Sequence, residues 1–186
     1  MWERTRTPVV LGLVSLAGTL GLGASAGQDP PVAEVRLRTQ AGEPVGVVIF
    51  TQESDDKVQV RATAHHLPPG FHGFHVHTVG VCVPPFLSAG GHYNPDGAGH
   101  HDHAGDMPVL LVKEDGTAEL RFTTDRYTVA ELTDGNGSAV IVHVGPDNYA
   151  NVPQRYLSLA ENVLGADSST LATGDAGGRL ACGVVR

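Results

Sequence analysis

The chain has 186 residues and a formal net charge of −8 at pH 7, with 24 glycines, 12 prolines and only 5% aromatic residues. Its length suits a single domain with a substantial core. The acidic balance argues against nucleic acid as a partner, and the abundance of turn-forming residues is typical of a β-rich domain.

The amino terminus has the pattern of a secretory signal peptide. Two arginines precede an uncharged stretch over residues 8–22, and small residues at 24–26 form a cleavage pattern. We therefore predict a signal over residues 1–26 and a mature domain over residues 27–186, either periplasmic or secreted. A membrane anchor is the alternative. The stretch is shorter than the roughly 20 apolar residues that span a bilayer, so we expect no stable membrane association after processing.

Short segments of alternating polarity, separated by turn residues, predict an all-β protein, an antiparallel β-sandwich or barrel whose topology stays open. The predicted strands are Ala33–Thr39, Pro44–Thr51, Lys57–Ala64, Gly73–His77, Pro108–Lys113, Thr117–Thr123, Ala139–Val144 and Arg179–Val185.

Two long connections, residues 78–107 and 145–178, interrupt this regular spacing. Loops of this length are uncommon unless they carry function. The second loop contains a short candidate helix at residues 157–164.

Two cysteines, Cys82 and Cys182, are present. In an exported protein an even pair favours one disulfide, and two buried free thiols are the alternative. A bridge across about 100 residues would stabilise the fold by roughly 4 to 5 kcal/mol in the chain-entropy model.

Nine of the ten histidines lie between His65 and His103, and two of them alternate on a predicted strand. Side chains two apart on a strand share a face, so His75 and His77 project together while Phe74 and Val76 point to an apolar layer. This spacing predicts a metal site.

Further donors extend the site to two metal ions. With His92 and His143, the pair on the strand forms a four-nitrogen set that suits copper(II). His143 by itself, at the end of an apolar run, is more typical of a core histidine, and the neighbouring histidines favour a ligand.

A second set, His100, His103 and Asp106, needs one more donor to complete the tetrahedron that zinc prefers, and His92 is the nearest candidate. His92 would then bridge the two ions as an imidazolate.

Four motifs carry a family resemblance: Gly73-Phe74-His75-Val76-His77, Gly91-His92-Tyr93-Asn94-Pro95, His103-Ala104-Gly105-Asp106, and the run from Gly174 to Gly183. In these motifs the chain resembles the copper/zinc superoxide dismutase family in its secreted bacterial form, over nearly the whole mature region. The resemblance implies a Greek-key β-sandwich, immunoglobulin-like in architecture, with two long functional loops. It also implies a disulfide between Cys82 and Cys182.

The resemblance implies the following metal ligands: copper is bound by His75, His77, His92 and His143, and zinc by His92, His100, His103 and Asp106. The adjacent His101 could take the zinc position of His100. His100 is preferred because it falls eight residues after His92, as in the family pattern. Only His101 and Asp102 separate His100 from His103, so this subloop is shorter than in the better-known members.

Two further residues acquire roles through the resemblance. Asp147 matches a carboxylate that links a copper histidine to a zinc histidine, and a solvated loop aspartate is the alternative. Arg179 matches the arginine that attracts the anionic substrate, and an ordinary surface charge is the alternative. Removing Glu3, Arg4 and Arg6 with the signal leaves a net charge of −9, so an anion would need a local positive focus.

The implied reaction is the disproportionation of superoxide. One superoxide is oxidised to dioxygen, and another is reduced to hydrogen peroxide with two protons, one of them supplied by His92. An exported copper/zinc buffer without turnover is the alternative, since a buffer needs the ligands but not Arg179. A structural metal domain serving as an interaction module is a second alternative. The sequence leaves open whether the protein is a monomer or a homodimer.

Overall fold

A computed structural model describes residues 31–186. The predicted signal peptide, residues 1–26, lies outside the described residues and stays a prediction. Among residues 31–186, no helix has both the length and the apolar character needed to cross a bilayer.

The described part of the chain is built almost entirely from short strands. They are β1 Val32–Thr39, β2 Pro44–Ser54, β3 Lys57–Ala64, β4 Gly70–His72, β5 Phe74–His77, β6 Leu110–Val112, β7 Ala118–Thr124, β8 Ala139–His143, β9 Leu157–Ser158, β10 Val163–Leu164 and β11 Arg179–Val184. Two helices of one to two turns, α1 Val129–Thr133 and α2 Ser168–Thr173, and a 3₁₀ turn at Leu87–Ala89 lie in the connections.

Seven strands form one antiparallel sheet in the order β5-β8-β11-β1-β2-β3-β7. The sheet curls onto itself through β4 and β6, which pair with each other. Only Gly73 separates β4 from β5 at one edge. At the other edge a tight turn joins β6 to β7, with the Lys113 amide donating to the Thr117 carbonyl at 2.8 Å.

The chain order around this closed sheet is that of a Greek key. After β3 the chain crosses to β4 and β5, and β6 and β7 then fill the space between. The Greek-key β-sandwich that the resemblance implied is therefore confirmed. Copper/zinc superoxide dismutases are themselves a standard example of this architecture.

The core follows from strict alternation along the strands. In β1 the inward side chains are Ala33, Val35 and Leu37, each about 1% exposed or less. They meet residues such as Val48 and Phe50 of β2. Because the side-chain period of a strand is two, each of these strands presents one apolar and one more polar face.

One prediction about the second long loop is wrong. Residues 157–164 are not helical; they form the β9–β10 hairpin, in which Val163 pairs with Ser158. Asn162 adopts a left-handed conformation (φ 55°), which a helix cannot continue through. The helix of this loop is α2, which begins four residues after the hairpin ends, and the Asp167 side chain caps the amide of Thr170.

The disulfide between Cys82 and Cys182 is present, with Cα atoms 5.8 Å apart. It joins β11 to the long loop after β5. That loop also carries His92 and the subloop from His100 to Asp106.

Candidate metal centre

Four histidines converge because two adjacent strands and one loop that is bridged to them carry the four side chains. His75 and His77 lie on β5, and β5 pairs with β8, which ends at His143. His92 reaches the same place through a β-bridge to His77. Ligand atoms of these four side chains all lie within 4.8 Å of one another.

Each of the four rings has one buried nitrogen without a hydrogen-bond partner among residues 31–186. These atoms are Nδ1 of His75 and Nε2 of His77, His92 and His143. A buried polar atom left unpaired costs about 1 to 3 kcal/mol, so four such atoms facing one point fit a metal ion that would pair them all. The nitrogen-rich donor set suits copper(II).

In three of the four rings, the second nitrogen explains why the inward nitrogen carries no proton and has no hydrogen-bond partner among the described residues. His75 Nε2 lies 2.7 Å from Asp147 Oδ2, His77 Nδ1 lies 2.9 Å from the Gly90 carbonyl, and His143 Nδ1 lies 3.1 Å from the Gly177 carbonyl. These oxygens only accept, so the ring proton resides on the nitrogen beside them. The lone pair of each neutral ring is therefore left on the inward nitrogen.

A second cluster contains His92, His100, His103 and Asp106, with ligand atoms again within 4.8 Å of one another. His92 Nδ1 lies 2.7 Å from Asp106 Oδ1 and 3.3 Å from His103 Nδ1. His100 Nδ1 is 3.1 Å from Asp106 Oδ2 but has no hydrogen-bond alignment to it. Three imidazoles and one carboxylate fit a tetrahedral zinc ion.

His92 belongs to both clusters. Its Nε2 faces the four-histidine set and its Nδ1 faces the second set, so one ring spans the gap between them. This is the placement that a bridging imidazolate requires.

Asp147 connects the clusters from behind. Its Oδ2 accepts from His75 at 2.7 Å, its Oδ1 contacts His100 Nε2 at 2.8 Å, and Oδ1 also accepts from the Tyr149 amide at 2.7 Å. The side chain is buried, unlike a solvated loop aspartate. The carboxylate therefore orients one ring of each cluster.

The structure separates the two adjacent candidates for the zinc position. His100 is buried within the second cluster, whereas the side chain of His101 is 56% exposed. The geometry favours His100, and its assignment as a zinc ligand stays a prediction.

Arg179 lies beside the four-histidine cluster. Its guanidinium donates to the carbonyls of Phe86 and Gly90, both at 2.6 Å. The Gly90 carbonyl is the one that also accepts from His77. Burial lowers the pKa of Arg179 from its usual value, yet arginine stays protonated in proteins. A positive charge thus lies at the edge of the cluster.

Burial keeps three rings of the four-histidine cluster neutral. Desolvation lowers the pKa of His75 to about 4 and that of His143 to about 3, and it lowers the pKa of His77 well below its usual value. For His100, burial is outweighed by the nearby carboxylates of Asp106 and Asp147, which raise its pKa to about 9. The neutral rings of His75, His77 and His143 hold their lone pairs free for a metal at pH 7.

These shifts predict that the metal-free protein loses stability on acidification. The pKa values of His75 and His143 are lower in the folded state than the unfolded value of 6.5, so the unfolded chain binds more protons below pH 6.5. Stability is lost as the pH falls from 6.5 towards 4, by about 1 to 2 kcal/mol for each ring at pH 5. The raised pKa of His100 has the opposite effect on stability. It stabilises the folded state fully below pH 6.5, and this stabilisation is lost mainly as the pH rises from 6.5 to 9.

Urea unfolding of chelator-treated protein at pH 7 and pH 5 measures this effect. Equal or greater stability at pH 5 would contradict the buried, neutral state of the rings.

Several backbone groups of the site were not predicted from the sequence. They are the carbonyls of Phe86, Gly90 and Gly177, together with Gly174, whose missing side chain leaves room for the Asp147 bridge. The glycine-rich run before Arg179 was a signal for Gly174 and Gly177, since glycines with positive φ often permit close backbone approach.

Comparison with known proteins agrees with this geometry. The family described as "Copper/zinc superoxide dismutase (SODC)" matches residues 45–185. A superoxide dismutase [Cu-Zn] from Mycolicibacterium paratuberculosis is 37% identical over 180 residues, covering 88% of this chain and 79% of the relative. One from Mycobacterium tuberculosis is 46% identical over 131 residues, covering 64% of this chain and 54% of that protein.

Solved structures show the same likeness. A SOD-like protein from Bacillus subtilis has a TM-score of 0.67 at 28% identity, covering 81% of this chain and 96% of that one. The clock protein EA4 has a TM-score of 0.68 at 31% identity, covering 85% and 95%. The family match covers most of this chain, and both histidine clusters are in place. The chain therefore belongs to the copper/zinc superoxide dismutase family.

Proposed function

We propose that this protein disproportionates superoxide at a copper ion held by His75, His77, His92 and His143. The observation that carries the proposal is the set of four buried, unpaired ring nitrogens that face one point beside Arg179. Family membership implies superoxide as the substrate and copper and zinc as the cofactors.

The proposed ligands divide between the two clusters. When bound, copper supplies one-electron redox chemistry, and zinc on His92, His100, His103 and Asp106 keeps the bridging ring placed. Asp147 orients His75 and His100 and so supports both sets.

The environment of the rings restricts the reactant to a small one. The four histidines are at most 5% exposed, so a bulky substrate has no route to their inward nitrogens. The proposed mature chain has a net charge of −9 and repels anions at long range. The positive charge of Arg179 offsets this repulsion locally and draws a small anion towards the cluster.

His92 supplies the proton chemistry. Its Nε2 holds a proton in one half of the cycle and donates it in the other, while Nδ1 stays on the zinc side. Two superoxide anions and two protons give one dioxygen and one hydrogen peroxide, so the second proton comes from solvent.

The disulfide and the bacterial relatives fit an extracytoplasmic location. We propose that residues 1–26 direct export to the periplasm or the exterior and are removed. The acidic domain over residues 27–186 would then act free of membrane and nucleic acid.

The test compares wild type with Arg179→Ala in copper- and zinc-loaded protein. We expect rapid superoxide consumption by wild type and a loss of about 10-fold in kcat/KM in the variant, because electrostatic focusing is removed. Copper content should be unchanged. Arg179→Lys should recover part of the rate, and the salt dependence should weaken in Arg179→Ala. A wild type that binds copper without consuming superoxide would instead support the metal-buffer alternative.

A further inference from the structure

The zinc-side subloop is held from outside by one arginine. Arg126 Nη1 donates to the carbonyls of His101 and His103, both at 3.1 Å. Its Nη2 lies 3.6 Å from Asp102 Oδ1. One guanidinium therefore contacts three consecutive residues of the subloop, the last of which is a proposed zinc ligand.

Arg126 reaches the subloop from a firm base. It follows β7, which pairs with β3 at seven successive positions from Val58–Thr124 to Ala64–Ala118. The amide of Arg126 also donates to the Thr124 hydroxyl at 3.2 Å. The backbone that carries the guanidinium is thus anchored beside the main sheet.

The end of the subloop is held to the rest of the protein through Gly105, whose amide donates to the Tyr93 carbonyl at 2.7 Å and whose carbonyl accepts from the Val76 amide at 2.9 Å. Between His100 and His103, the described residues supply few other backbone anchors. The Asp102 amide bonds locally to Gly99 at 2.8 Å, and the Asp106 amide bonds to His103 at 3.1 Å. The His100 amide reaches Leu171 only at 3.4 Å. The four residues from His100 to His103 must nevertheless turn two rings inward. Fixing the carbonyls of His101 and His103 from outside restricts the backbone that carries those rings.

The charge of Arg126 cannot itself favour zinc, because a guanidinium repels a divalent cation. The contact with Asp102 offsets part of that charge. Any benefit to the zinc site must come from geometry, since the planar fork of arginine spans two acceptors where a lysine ammonium is a single point charge.

We propose that Arg126 is a positioning residue for the zinc half of the centre, which clamps the short subloop and slows the release of zinc. The proposal rests on the proposed function in that His100 and His103 hold zinc. The clamp restricts the backbone of this short subloop through the carbonyls of His101 and His103 and the carboxylate of Asp102.

The experiment measures zinc release from the copper- and zinc-loaded protein into a chromogenic chelator for wild type, Arg126→Ala and Arg126→Lys. Arg121→Ala is the matched control. Arg121 is an exposed arginine on β7, the strand that Arg126 follows, and its side chain forms no hydrogen bond or ion pair within residues 31–186. We expect Arg126→Ala to release zinc about 10-fold faster than this control, as is typical when a partner outside the ligand set is lost.

Arg126→Lys should fall between wild type and Arg126→Ala, and copper content should not change. The visible spectrum of cobalt(II) placed in the zinc site should broaden in Arg126→Ala and not in Arg121→Ala. If Arg126→Ala does not fold, the zinc release rate of Arg126→Lys is compared with that of Arg121→Ala instead.

Release from Arg126→Ala at the control rate overturns the clamp, as does slower release, which would indicate that charge dominates. A wild type that takes up no zinc overturns both this inference and the zinc part of the proposed function. A wild type that holds zinc, with unaffected variants, overturns the clamp alone.

Discussion

Replacing His92 by alanine is expected to abolish superoxide turnover, with a loss of at least about 100-fold, and to uncouple the two metal sites. No other ring of the described structure belongs to both the four-histidine set and the set completed by Asp106. Its loss removes one proposed copper ligand, one proposed zinc ligand and the proposed proton donor together. Metal analysis, the copper electron paramagnetic resonance spectrum and superoxide consumption measure the three effects.

His101→Ala is the matched control for this variant. His101 lies in the same loop, but its side chain is 56% exposed and belongs to neither cluster. Metal content and turnover should stay within twofold of wild type. An unchanged copper spectrum together with full turnover in His92→Ala would refute the bridge.

Replacing Gly174 by alanine is expected to lower zinc affinity by about 10- to 100-fold, as the loss of a group that orients metal ligands does in other sites. A Cβ atom at this position would overlap Asp147 Oδ1 and lie 2.5 Å from His100 Nε2. The carboxylate must then move, and the hydrogen bonds that orient His75 and His100 are lost. Competition with a chelator of known affinity measures the change.

Backbone strain must be separated from this clash, because Gly174 has a positive φ of 64°. Gly177→Ala provides the control. Gly177 lies in the same loop with φ 74°, and a Cβ there would meet nothing within 4 Å. Its carbonyl accepts from His143 in the four-histidine set, so the property compared is zinc affinity and not copper content. On zinc affinity, Gly177→Ala reports the strain without the overlap with Asp147. If both variants bind zinc equally well, the close approach of Gly174 to Asp147 is not what shapes the site.

The alternation of His75 and His77 could be predicted because it is a local property of an extended chain. The fold class was equally accessible, since short alternating segments between turn residues leave few other architectures. The order of strands around the barrel could not be predicted, because pairing partners that are far apart in sequence leave no local pattern. The Greek key came from the family resemblance, and the fold confirms it. The metal roles of individual residues stay predictions that the geometry supports.

Features that depend on loop conformation could not be predicted from the sequence. The hairpin at residues 157–164 has an apolar spacing that also suits a helical turn. In the structure Val163 pairs with Ser158 and Asn162 is left-handed, and neither property can be read from that spacing. Gly90 contributes only its backbone carbonyl to the site. Every residue has such a carbonyl, so the sequence carries no signal for this contact. The contacts of Arg126 depend on a crossing between β7 and a loop more than twenty residues earlier.

The carbonyl of Gly90 has one further consequence. Both of its lone pairs are engaged, one by the ring of His77 and the other by Arg179. A shift of this single oxygen would turn the ring of His77, a proposed copper ligand, and at once displace Arg179, the proposed guiding charge. Substitutions in the surrounding loop that move this carbonyl should therefore change copper retention and substrate capture in parallel, whereas a substitution of Arg179 itself changes capture alone.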